Sequence, residues 1–194
     1  AVSHFYSDGS KELAKSADEL RWTHDTSTPH RKQSHGRIEA MMRVIEEGTR
    51  AAIYQGGARH PWWSIAGTFY SHARTCFHID PETGTTAYER LFGQPVKGLM
   101  IPFFALVSYK RHPPAIKQSN KFDPRGEEGL FIGWHFDPGF GFHGDHLVVP
   151  LAPFLEDLDA APNPNRTRDI IILDGPFVFP LREAIIRCKA ERLA

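Results

Sequence analysis

Two carboxylates in this sequence stand in a setting that suggests chemistry. Asp8 lies in the run F-Y-S-D-G-S-K-E, just after a short apolar stretch, and Glu39 lies in H-G-R-I-E-A-M-M. Two-metal phosphoryl transfer needs several carboxylates converging on divalent ions, one ion activating the attacking oxygen and the other stabilising the leaving one. An aspartate at the end of a strand, answered by a glutamate in the first turns of a basic helix, can hold such an ion against a phosphodiester. Spacing alone is a weak signal, because helices and turns ordinarily carry solvated acids. A surface aspartate in a turn and a surface glutamate on a helix is the plain reading of the same pair.

The residues around Glu39 form a locally basic strip. Arg31, Lys32, Arg37, Arg43 and Arg50 stand against Glu39, Glu46 and Glu47, with His30 and His35 added. Arg31, Lys32, Arg37 and Arg43 suit a DNA backbone, and Gln33 and His35 suit bases or sugars. A solvated helix start is the alternative. The chain carries 23 Lys plus Arg and 23 Asp plus Glu, so its net charge is zero. Local clustering, not the total, decides whether nucleic acid binds.

Other candidate sites are thinner. His143-Gly144-Asp145-His146 offers metal-ligating side chains, but a zinc site needs further ligands, and the Gly-rich F-G-F-H-G-D-H reads more simply as a hairpin turn. No G-x-S-x-G is present for a serine hydrolase. Trp62-Trp63 heads an apolar helix and reads as core rather than as a base-stacking pair. Cys76 and Cys188 have no C-x-x-C partner, which excludes a cysteine zinc cluster and suits a reducing compartment. No stretch approaches eighteen apolar residues, so no spanning helix is expected. The N-terminus has no signal-peptide pattern and reads as a chain cut from something longer.

The elements that must position these residues follow from periodicity. A short strand over 2–6 ends in the turn Ser7-Asp8-Gly9. Ser10 caps a helix over 11–20, on which Leu13, Ala17 and Leu20 recur, and 21–26 is a weak strand. Thr28-Pro29 is a break. A long helix begins between Gln33 and Gly36 and runs to about Gln55, with Ile38, Met41, Ile45, Gly48 and Ala52 on one face. Gly56-Gly57 stops it. His60-Pro61 opens a second, heavily apolar helix, and Thr85 or Thr86 caps a third over 87–92. Beyond Gly93-Gln94-Pro95 the texture becomes β: runs at 101–110, 128–134, 146–149 and 169–173, with a further candidate at 177–179 and a loop over 160–165. Such short strands suggest a small barrel or curled sheet. A last amphipathic helix covers 181–193. The fold class is therefore α/β followed by β, with the domain boundary near 93–98.

Longer runs of residues resemble one family. F-Y-S-D-G-S-K-E followed by T-S-T-P-H-R-K-Q-S-H-G-R-I-E resembles the end of the catalytic core of Copia-type retrotransposon integrases. Tyr88-Glu89-Arg90-Leu91-Phe92-Gly93, then Ile101-Pro102-Phe103 with Val107-Ser108-Tyr109-Lys110, resemble the segments that follow that core. Lys121-Phe122-Asp123-Pro124-Arg125 with Gly129-Leu130-Phe131-Ile132-Gly133-Trp134 resembles the family's K-x-D-x-R-x-x-x-G-I-F-L-G-Y. The match covers most of residues 4–180.

The resemblance implies that Asp8 is the second and Glu39 the third carboxylate of the family's triad, and that the first falls upstream of residue 1. It implies Mg2+ or Mn2+ as cofactor, DNA as partner, a homo-oligomer in the full-length Pol polyprotein product, and the nucleus or a cytoplasmic virus-like particle as the place of action. The implied domains are 1–94, the C-terminal part of an RNase H-like core, 95–180, an SH3-like barrel, and 181–194, a C-terminal helix. The implied reaction is 3′-processing and strand transfer in DNA integration. Two departures stand out: His35 occupies the family's loop Asn position, and Ala40 stands where an Arg usually follows the Glu. Lacking the first aspartate, the chain is expected to be inactive alone. A non-catalytic binding or structural module derived from such a polyprotein is the second reading. Part of an RNase H-like sheet also leaves a strand edge and apolar helix faces bare, so poor solubility or self-association is expected.

Overall fold

The computed structural model describes residues 4–7, 10–26, 36–110 and 126–191. The chain forms two compact units, Ala1–Val44 and Ile45–Ala194. The architecture is mixed α/β, with helices followed by a five-stranded antiparallel sheet.

The first unit contains a strand–helix–strand motif. Strand β1 (His4–Ser7) pairs in parallel with β2 (Thr23–Thr26), and helix α1 (Lys11–Glu19) makes the connection. Parallel neighbours cannot be joined by a tight hairpin, so a crossover of this kind is required. Ser10 occupies the N-cap position, but its hydroxyl donates to the Glu12 carboxylate at 2.7 Å rather than accepting from the helix backbone. Ala17 is the buried residue of α1. Ser7 is buried, and its Oγ lies 2.8 Å from His24 Nε2 on the neighbouring strand.

Helix α2 (Gly36–Gly56) begins and ends where the periodicity predicts. Its expected apolar face is only half covered. Ile38 and Met41 are exposed, whereas Ala52 is buried and Gly48 sits under the Tyr70 ring. A Cβ at Gly48 would meet that ring at 2.0 Å, so glycine is what allows the close approach. Periodicity fixes which face is apolar; it does not fix how far along the helix a partner extends. Gly57, at φ +69°, terminates the helix in the left-handed region.

A 3-10 turn (His60–Trp62) carrying Pro61 leads into α3 (Trp63–Phe77). Ala66, Phe69, Ala73 and Cys76 form the buried stripe of α3. Trp62 is buried and its indole N–H donates to the Ala160 carbonyl at 3.3 Å. Trp63 is 59% exposed, which corrects the reading of both tryptophans as core. The turn geometry aims consecutive side chains in different directions, so an apolar pair at its end cannot both face inward. Helix α4 (Ala87–Phe92) is capped by Thr86, whose hydroxyl accepts from Glu89 N–H at 3.1 Å, and ends at Gly93 with φ +69°.

The sheet comprises β3 (Leu106–Lys110), β4 (Gly126–Phe136), β5 (Phe142–Pro150), β6 (Asn165–Thr167) and β7 (Ile170–Ile171), in the order β6-β5-β4-β3-β7. All neighbours are antiparallel. The β4–β5 pairing carries register irregularities between Phe131 and Gly133, where the extra residue is on β4, and between Trp134 and Phe136, where the extra residues are on β5, and bulges of this type bend a strand. The described strands leave β6 and β7 at opposite edges.

Several boundaries differ from the sequence reading. Residues 101–105 are not strand: Phe104 is fully buried at φ +60°, which interrupts the extended run. Its N–H still donates to Phe131 O at 2.7 Å, and Phe131 N–H donates to Ala105 O at 3.0 Å. The short helix α5 (Ala152–Glu156) and strand β6 were not expected; the latter begins at the end of what reads as a loop. The candidate strand at 177–179 contributes one bond, from Leu106 N–H to Val178 O, without becoming a strand. Helix α6 (Pro180–Glu191) closes the described chain.

The core of the second unit is aromatic. Phe69 from α3 stacks on Trp134 of β4 with ring centroids 5.3 Å apart and meets Phe131 edge-on at 6.3 Å. Trp62 meets Phe104 edge-on at 5.1 Å. One cluster joins Ala52 on α2 to Leu181 on α6 through these rings, spanning both sides of residue 95.

Candidate functional site

Glu39 lies in the first turn of α2 and is exposed. The unpaired N–H groups there favour a nearby carboxylate, so the position is electrostatically suited to an acid whether or not it has a ligand. Arg43 follows one turn later on the same exposed face. Strand β1 ends at Ser7, the residue before Asp8. Asp8, Arg31, Lys32, Gln33 and His35 lie outside the described residues, and Arg37 is described only as part of the α2 backbone. The structure therefore presents one carboxylate and one guanidinium of the expected set.

Magnesium binding asks for several oxygen ligands around one ion. Among the described residues no three His, Cys, Asp or Glu side chains come together in a way that could hold a metal. Glu39 by itself does not fit that requirement. The same finding disposes of a metal site at His143, Asp145 and His146.

The F-G-F-H-G-D-H run is a hairpin turn only at its start: Phe140 and Gly141 belong to the β4–β5 turn, with Asp137 N–H donating to Gly141 O at 3.0 Å, and Phe142 to His146 already lie in β5. Alternation along a strand sends His146 to the face opposite Asp145. Asp145 is buried and binds two arginines. Arg168 Nε donates to Oδ1 at 2.7 Å, and Arg166 donates to Oδ2 through Nε at 3.1 Å and also through a terminal nitrogen. These hydrogen bonds, chiefly that from Arg168, hold the Asp145 carboxyl down at about 2. Arg166 also reaches His135 Nε2 at 3.3 Å, and His143 Nε2 lies 3.3 Å from Asp137. The register His146↔Thr167 explains the cluster, since it puts Arg166 and Arg168 on the face that Asp145 shares. The alternation R-T-R was visible in the sequence, but without β6 it had no strand to belong to.

Two further titratable groups are set by burial. His72 packs edge-on against Phe136 and Phe140, with centroids 4.6 and 5.2 Å away, and its pKa is lowered by desolvation. Burial pushes the Cys76 thiol up to about 12, which makes it a poor nucleophile, and Cys188 is exposed and free. Among the described residues no helix is long and apolar enough to cross a membrane.

No protein-family model matches the chain, and no curated protein matches it. Among solved structures, the chain is similar to a chain in the simian T-cell lymphotropic virus intasome, determined in complex with the PP2A regulatory subunit B56 gamma. The TM-score is 0.37 and the identity 14%, over 90% of this chain and 59% of that one. The chain thus spans less than two thirds of the length of the structure it matches.

Proposed function

We propose that this chain is a piece or decayed copy of a Copia-type retrotransposon integrase, contributing to DNA binding and, in its full-length context, to Mg2+- or Mn2+-dependent DNA integration. The observation that carries this reading is the placement of Glu39. It occupies the exposed first turn of the long helix α2, which follows a parallel strand–helix–strand unit whose first strand stops one residue before Asp8. A strand followed by a helix bearing the glutamate is consistent with the resemblance, which assigns Asp8 and Glu39 as second and third carboxylates, and supports the reading. In this reading Asp8 and Glu39 are metal ligands, and Arg31, Lys32, Gln33, His35, Arg37 and Arg43 contact DNA. Residues 1–94 are the end of an RNase H-like core and 95–180 an SH3-like domain. The strand order β6-β5-β4-β3-β7, a meander whose last strand returns beside its first, supports the second assignment. DNA ends and target are the partners, a homo-oligomer is the working form, and the nucleus or a virus-like particle is the location.

A non-catalytic binding module is the second reading. It is supported by the zero net charge of the chain.

DNA binding by this chain tests what both readings share. Fluorescence anisotropy with a duplex end should give an affinity that falls steeply between about 50 and about 200 mM salt. Joint replacement of Arg31, Lys32, Arg37 and Arg43 by Gln should flatten that dependence. Binding that ignores salt and the four substitutions overturns both. End joining in Mg2+ by the longest natural chain containing these residues, abolished in Glu39→Gln, separates the enzyme from the module.

A further inference from the structure

A cleft of about 510 Å³ opens between α2, α3 and the segment preceding β3, a volume typical of small-molecule sites. Gly48, Ala51 and Ala52 make one wall, and Phe69, Phe77 and Phe103 make the other. The small residues leave the space and the rings make it apolar. Arg74, one turn before the end of α3, also lines the cleft. It is half-buried, and among the described residues no carboxylate pairs with it. The lining contains no Asp or Glu. A half-buried guanidinium beside an apolar cleft is partly desolvated, and a carboxylate is the partner that best replaces the lost water.

We propose that this cleft binds a small apolar acid, of the aryl-alkyl carboxylate class. The hydrocarbon lies among Phe69, Phe77 and Phe103, and the carboxylate accepts from the forked N–H donors of Arg74. Charge complementarity selects the acid: the one permanent cation of the lining has no carboxylate partner among the described residues. None of these residues belongs to the Asp8 and Glu39 set, so the proposal does not depend on the integrase reading.

The test is a calorimetric titration of the 194-residue chain with phenylbutyrate and with its neutral amide, alongside 1H–15N shifts that locate the site. Saturable binding of the acid is expected, with the amide at least about tenfold weaker, as one charge-assisted contact implies. Arg74→Gln should bring acid and amide to the same affinity. Ala51→Trp, at an exposed rim position, should fill the cleft and abolish both. Circular dichroism identifies a variant that fails to fold, in which case the acid–amide comparison on the unaltered chain decides. Equal affinities for acid and amide, no saturable binding of the acid, or shifts confined elsewhere would overturn the proposal. A peptide that binds where phenylbutyrate does not would overturn it as well.

Discussion

Arg168 donates from Nε to Oδ1 of Asp145 across 2.7 Å, and the carboxylate it meets is buried while most of the arginine is in water. Arg166 occupies the other carboxylate oxygen. This fork ties the edge strand β6 and the residue beyond it to β5. Because the Asp145 pKa is depressed to about 2 in the folded state, its contribution is fully present above the ordinary carboxylate value near 4. It is lost as pH falls from about 4 to about 2. Screening at the exposed guanidiniums limits the loss to about 1–2 kcal/mol. Urea unfolding at neutral pH and at successive acid pH values should show this drop. Asp145→Asn should cost about 2 kcal/mol at neutral pH and flatten the profile in that window.

Gly56 is a packing requirement. A Cβ there would stand 2.7 Å from Phe104 Cβ and 2.8 Å from the Phe103 carbonyl oxygen. Neither atom is the end of a flexible chain, so something in the backbone must shift. Gly56→Ala should destabilise the second unit by about 1–3 kcal/mol despite its gain in helix propensity. A rise in the thermal midpoint of Gly56→Ala would show that the contact relaxes freely.

The two core-facing and water-facing aromatics of the 62–77 region separate cleanly. Phe69 contacts Phe103, Phe131 and Trp134, and its truncation to Ala should cost about 3–5 kcal/mol. Trp63→Ala should stay within about 0.5 kcal/mol, because the side chain is mostly in water. Chemical denaturation of both variants checks the pair, and comparable losses would refute the exposure of Trp63.

Glu39→Gln removes a carboxylate from the first turn of a helix and nothing else among the described contacts. Its stability should fall by about 0.3–1 kcal/mol, the ordinary helix-dipole increment. A much larger effect on metal-dependent DNA end joining than on unfolding would assign the residue to function. Matching effects would assign it to the helix.

The helices were legible because their punctuation is chemical: Pro61 at a first turn, Thr86 as a cap, and Gly57 and Gly93 at left-handed exits. The middle strands were legible from β-branched and aromatic runs. What escaped was set by tertiary contact. Phe104 reads as strand and instead adopts φ +60° to bury its ring. Asn165 reads as the end of a loop and Arg166 and Thr167 as no element, and together they become β6 because β5 offers an edge. Asp145 read as a turn acid or metal ligand, and the arginines that define it lie more than twenty residues away. Ile38 and Met41 carried a correct helical period but no information on whether anything covers them. The strip from Arg31 to His35 and Asp8 rests on the sequence resemblance, outside the described residues.

Strand β7 reaches back to β3, pairing Ile170 with Tyr109 and Ile171 with Ser108, while β4 and β5 meet across the short turn at 137–141. Chain closure costs more as the loop lengthens, and contacts between distant segments form late. The β4–β5 hairpin is therefore the natural nucleus of the sheet, and β7, only two residues long, is the last piece to dock. The same asymmetry holds in reverse. Under thermal load the sheet is expected to open first at its β7 margin, with amide exchange at Ile170 and Ile171 faster than in β4 and β5.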